Sequence, residues 1–184
     1  MNDQGLNIIR QTEIFNDDKE RLVLEQFVSK DGTKTDCLLS YYRPFVVIVP
    51  LINRQKILMS EQFTLGTKSR TYGFFSEFMK QGENIFDTAK RILKEETGYK
   101  ADKLIHVASL YEDAKRSRIP YHIIIAEILH ENHKLTDSKI KDEKAINHVI
   151  YTSALLSSYI LDRMKGALTI AVVPYILQYI LRKK

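Results

Sequence analysis

The residues best placed to do chemistry lie between positions 82 and 99. Gly82-Glu83 is followed eight positions after the glutamate by Arg91, and the run Arg91-Ile92-Leu93-Lys94-Glu95-Glu96-Thr97-Gly98-Tyr99 packs two acids and a glycine into less than three helical turns. Asn84 is a good helix N-cap, Asp87 places an acid beside the free N–H groups of the first turn, and Gly98 supplies a left-handed terminator, so the spacing predicts a helix over about 85–97. On that helix Ile85, Ala89, Ile92 and Leu93 form an apolar stripe. Positions 92, 95 and 96 are i, i+3 and i+4 neighbours, so Glu95 and Glu96 converge beside Ile92. With Glu83 from the preceding loop, these carboxylates suit a hard divalent cation such as Mg2+. The alternative for such a pair is a solvated acidic helix face.

A second chemical signal is basic. The formal net charge is +5 and the pI about 9.1, but the cations are scattered, and Lys115-Arg116-Ser117-Arg118 is the compact basic cluster outside the C-terminal tip. Such a distribution points to a phosphate-bearing small molecule rather than to extended nucleic-acid binding. The competing reading is a solvated hairpin tip. Asp142-Glu143 adds a late acidic pair in a lysine-rich stretch, and Tyr72, Phe74, Phe75 and Phe78 form an aromatic group that either stacks on a base or enters the core.

These groups need a scaffold of about one domain, which 184 residues with 44% hydrophobic content can supply. Cys37 is the single cysteine, which excludes an intrachain disulfide and fits a reducing, cytoplasmic compartment. The amino terminus lacks the pattern of a secretory signal, and the apolar stretch Ala167–Leu181 is too short, with Thr169, Pro174 and Gln178 inside it, for the roughly 20 residues of a spanning helix. No membrane role is expected.

Arg21–Ser29 and Thr35–Tyr42 read as a hairpin closed by Asp31-Gly32, and Phe45–Ile52 as a buried strand that turns through Asn53-Arg54-Gln55 into Lys56–Phe63. Thr64–Gln81 reads as a long connection. After the acidic helix come strands near Leu104–Tyr111 and Tyr121–His130, a polar loop Glu131–Lys144, a strand near Asn147–Thr152 and two helices separated at Gly166. Strands with an inserted helix and closing helices define an α/β chain.

The acidic helix and its flanks resemble the Nudix box, G-x5-E-x7-R-E-U-x-E-E-x-G-U, where U is aliphatic or aromatic. Glu83, Arg91, Leu93, Glu95, Glu96, Gly98 and Tyr99 fall on that pattern in register, whereas Glu77 stands at its opening glycine and Ile92 at the glutamate after the arginine. The order of elements is similar to the Nudix fold along nearly the whole chain. The ADP-ribose pyrophosphatase group is the most similar, through Glu61-Gln62-Phe63, Asp142-Glu143 and Gly166-Ala167-Leu168-Thr169.

The resemblance implies a single Nudix domain over residues 1–184, an α/β/α sandwich with a mixed sheet plus N-terminal antiparallel strands, and a homodimer formed through residues 1–45. It implies a metal-dependent hydrolase, using Mg2+ or Mn2+, that splits a nucleoside diphosphate linked to another moiety, with ADP-ribose or a nucleotide sugar the leading substrate. Glu95 and Glu96 would hold metal, with Glu83 directly or through water, and Arg91 would orient loop and helix by pairing with Glu83 or Glu95. Glu143 would be the base, and Lys115, Arg116 and Arg118 would hold phosphates. The missing carboxylate at Ile92 and the changed loop at Glu77 support a second function, a Nudix-fold protein that binds a nucleotide without hydrolysing it. If only position 92 is damaged, Ile92→Glu is expected to restore metal binding and activity.

Overall fold

The computed structural model describes residues 5–129 and 145–182, which fall into two compact units. The first comprises Met1–Pro44 with Tyr111–Tyr121, the second Phe45–Leu110 with His122–Lys184.

In the first unit, β1 (Asn7–Asn16), β2 (Glu20–Val28) and β3 (Lys34–Tyr42) form an antiparallel sheet in that order. Short polar side chains set the turns. Asp17 accepts from the backbone N–H groups of Lys19 and Glu20, both at 2.7 Å, and Asp31 accepts from Thr33 while Gly32 takes the positive φ of 85°. The predicted hairpin is present. A further strand, β1, precedes it, which the mixed polar sequence Arg10-Gln11-Thr12-Glu13 did not announce.

The second unit is built on a seven-stranded mixed sheet. Its main path runs β10 (Ile146–Tyr151), β5 (Lys56–Thr64), β4 (Phe45–Ile52), β9 (Tyr121–Ile128) and β8 (Lys103–Leu110). β6 (Ser69–Gly73) pairs with β5, and β7 (Phe75–Phe78) with β4. These two strands occupy much of the stretch 64–81 that the sequence reads as a long connection. The aromatic run Tyr72–Phe78 lacks period-2 alternation because Tyr72, Phe74 and Phe75 are all buried, whereas Phe78 meets Phe45 edge-on at 4.9 Å. At least three of the four aromatics therefore serve the core.

Alternation along the central strands explains the layers. Val47, Val49 and Leu51 of β4, with Ile123 and Ile125 of β9, pack in one cluster with Val172, Val173 and Ile176 of the terminal helix α3 (Ala167–Leu181). Val46, Ile48 and Ile52, with Ile124, Ala126 and Ile128, face the other way and pack on Ala89, Ile92 and Leu93 of α1 (Ile85–Thr97). A strand covered on both faces reads as a continuous apolar run, which is what Phe45–Ile52 is. The result is the expected α/β/α sandwich. A short helix α2 (Ser158–Leu161), capped by Ser157, precedes α3, and among the described residues no helix is long and apolar enough to cross a membrane.

Candidate active site

Helix α1 carries the candidate chemistry, and its ends are fixed as the sequence implied. Asn84 Oδ1 accepts from the N–H groups of Phe86 and Asp87 at 2.9 and 3.0 Å, and Gly98 closes the helix at φ 71°.

Arg91 is the hub of the site. Its Nε donates to Glu83 Oε1 at 2.7 Å and its Nη2 to Glu83 Oε2 at 2.9 Å, a bidentate pair, while Nη2 also donates to the Phe78 carbonyl at 3.2 Å. Its Nη1 meets the Glu77 carboxylate and lies 3.6 Å from Glu95 Oε2. One guanidinium thus ties strand β7, the loop at Glu83 and the helix together. Glu77, at the position of the pattern's opening glycine, sits in extended backbone paired with Val46, so no strained φ is needed there. Its carboxylate has joined the arginine network instead.

Glu83 also accepts from the Lys80 N–H and the Thr88 hydroxyl, each at 2.9 Å. The hydrogen bonds from Arg91, with lesser help from Lys80 and Thr88, outweigh burial and hold its carboxyl at a pKa of about 2. A folded-state pKa depressed in this way adds stability above the ordinary carboxyl range, and that stability is lost as pH falls from about 4.5 toward 2. Glu83→Gln should therefore cost about 2 kcal/mol at pH 7 and flatten the acid limb of the stability curve. Urea melts at several pH values check this; a variant as stable as wild type at pH 7 would show the network to be unimportant.

Ile92 is fully buried, among Val46, Ile48 and Phe75. The side chain points into the sandwich, not toward a ligand. Glu95 and Glu96 remain half-buried on the helix, and Asn147 Nδ2 of β10 donates to the Glu96 main-chain carbonyl at 3.1 Å, leaving that side chain out of the bond.

Magnesium is commonly held by one or two carboxylates and completed by substrate phosphate oxygens and water. Glu95 and Glu96 fit that mode. They do not fit an all-protein cage: Glu83 already receives four hydrogen bonds, Ile92 offers none, and among the described residues no group of three or more His, Cys, Asp or Glu could hold a metal ion.

The basic cluster belongs to the first unit. The Ser40 N–H donates to the Arg116 carbonyl at 2.8 Å and the Arg118 N–H to the Ser40 carbonyl at 2.9 Å, so the loop is stitched to β3. Arg118 Nη2 donates to Glu25 Oε2 at 2.7 Å, and Glu25, fully buried, also accepts from Gln11 at 2.9 Å and from the Tyr41 hydroxyl. Burial alone would raise the Glu25 pKa, but these donors outweigh it and hold it below the usual range. Lys115 and Arg116 are exposed. Glu143 falls outside the described residues.

Sequence reasoning overlooked a polar group on the second unit's sheet. His148 Nε2 on β10 lies 2.7 Å from Glu61 Oε2, Arg70 Nε 3.2 Å from Glu61 Oε1, and the His148 ring 5.0 Å from that of Tyr72. The hydrogen bond with His148 is the largest influence lowering the Glu61 pKa. In the sequence Glu61 stands out only within Glu61-Gln62-Phe63, and its partner 87 positions away gives no local signal.

A two-faced α/β/α sheet with an Arg-centred acidic helix on one side is a Nudix architecture, and the NUDIX domain model matches residues 42–145. The chain belongs to the NUDIX domain family. It is 32% identical over 88 residues to the ADP compounds hydrolase NudE of Escherichia coli (strain K12), an alignment covering 48% of this chain and 47% of that protein. The chain therefore spans about half the length of the curated relative it matches. Over the whole fold, it is similar to a crystal structure of an ADP compounds hydrolase, with a TM-score of 0.79, 18% identity, and coverage of 98% of this chain and 96% of that one.

Proposed function

We propose that this chain hydrolyses the diphosphate of a nucleoside diphosphate linked to another moiety, with ADP-ribose the leading substrate and Mg2+ or Mn2+ as the cation. The observation that carries the reading is that Arg91 holds β7, the Glu83 loop and α1 together while Glu95 and Glu96 stay half-buried at the helix. The match to an ADP compounds hydrolase supports the substrate class. A divalent cation supplies charge withdrawal from the diphosphate, so that water can attack one phosphorus as the other phosphate leaves. Glu95 and Glu96 would hold that cation. Glu83 adds negative charge beside Arg91, and Glu143 takes the proton of the water. Lys115 and Arg116 are proposed for phosphate binding, whereas Arg118 is engaged by Glu25. Release of AMP from ADP-ribose with Mg2+, abolished by a chelator, is the expected result; turnover unaffected by chelation would contradict it.

A second reading rests on Ile92. Because the position holds a fully buried aliphatic side chain, one acid of the family pattern is absent without a vacancy left for it, which favours binding without hydrolysis.

We also propose a homodimer formed through β1–β3 in a reducing, cytoplasmic setting, the latter on the strength of the single free Cys37. Ile8, Ile9, Ile14 and Phe15 of β1 are each about half exposed, a concentration of apolar surface that a second copy would cover. Solution scattering should give the mass of two chains, and a compact monomer at tens of micromolar would contradict this.

A further inference from the structure

Beside α1 lies a cavity of about 680 Å3 between the helix and the segment leading into β8. Phe86, Leu93 and Tyr99 contribute its apolar floor, and Phe86 is 38% exposed. Four lysines, Lys90, Lys94, Lys100 and Lys103, line it against one carboxylate, Asp102. That carboxylate accepts from the Leu129 N–H at 2.7 Å, and Lys90 lies 3.6 Å from Asp87. A concave, largely apolar surface of this volume with a few charged groups at its edge has the makings of a small-molecule site. None of Glu83, Arg91, Glu95 and Glu96 lines this groove, so it is a separate place from the acidic site.

We propose that this groove is a second ligand site for a nucleoside di- or triphosphate, with the nucleoside on the floor formed by Phe86 and Tyr99 and the phosphates held by Lys94, Lys100 and Lys103. The cation count matches the charge of such a tail, and the apolar floor distinguishes it from a site for a bare anion. Binding here needs no divalent cation, because the lysines supply the countercharge. It does not depend on the hydrolytic reading.

The test is calorimetry of the full chain with ADP in EDTA. Wild type should bind, with affinity falling steeply between 50 and 300 mM salt, and both adenosine and pyrophosphate alone should bind at least tenfold more weakly. The combined variant Lys94→Glu, Lys100→Glu, Lys103→Glu should lose at least tenfold in ADP affinity while keeping its circular dichroism. ADP binding unchanged in that variant would overturn the proposal, as would no detectable binding by wild type. Pyrophosphate, or an acidic peptide, binding as tightly as ADP would overturn the nucleoside assignment. Should the triple variant fail to fold, backbone amide shifts of the wild-type chain decide: ADP should perturb residues 86–104 most, and shifts confined to other segments would refute the site.

Discussion

Ile92→Glu should unfold the protein more readily instead of repairing it. A carboxylate at this fully buried position would enter the apolar cluster of Val46, Ile48 and Phe75, and burying an uncompensated charge or its protonated substitute costs about 3–5 kcal/mol. For a chain of this size that is a fall in Tm of roughly 10 °C. The introduced acid would have its folded-state pKa raised above the unfolded value, so the folded state binds more protons and stability falls as pH rises through the unfolded pKa. The variant should accordingly be less impaired at pH 4.5 than at pH 7.5. Ile92→Val, which keeps the apolar character, should cost only about 1 kcal/mol. Thermal melts at both pH values check the set. A stable Ile92→Glu protein with tighter Mg2+ binding would instead show that position 92 faces a ligand, and the expectation drawn from the box pattern alone would stand.

Glu96→Gln is expected to remove at least 99% of ADP-ribose hydrolysis, a hundredfold effect equivalent to about 2.7 kcal/mol of barrier. Its fold should survive, since glutamine keeps the size of the side chain and the link from Asn147 reaches the main-chain carbonyl of residue 96. Glu95→Gln should also lower the rate, but with some loss of stability, because Glu95 is part of the charge balance around Arg91. Full activity in the Glu96 variant would show that this acid does not hold the cation.

Much of this architecture was legible because local chemistry fixes it. Asn84 and Gly98 delimit α1 at residues 85–97, and Asp31-Gly32 closes the β2–β3 turn, since capping and left-handed turns depend on residues within a few positions. The double-faced burial of β4 was equally plain in Phe45–Ile52. What escaped was set by distant partners. β6 and β7 gain their character by pairing with β5 and β4, and Glu25, buried in a strand, is satisfied by Gln11, by Tyr41 and by Arg118 from 93 positions away. The acidic helix shows both limits at once. Its periodicity put Ile92 in the apolar stripe, correctly, while the family pattern put the same residue among the metal ligands; only packing against the sheet separates the two. Glu77 is similar, since nothing in the sequence showed that it would join Glu83 on Arg91.

The most direct test is to follow ADP-ribose by 31P NMR with purified wild type and Glu96→Gln in the presence of Mg2+, and again after chelation. The account predicts conversion of the diphosphate resonances to two monophosphates by wild type, arrested by chelator and by Glu96→Gln. Diphosphate resonances that persist with wild type in Mg2+ and in Mn2+, while the nucleotide still binds, would contradict hydrolysis and leave the Nudix fold here as a binding scaffold.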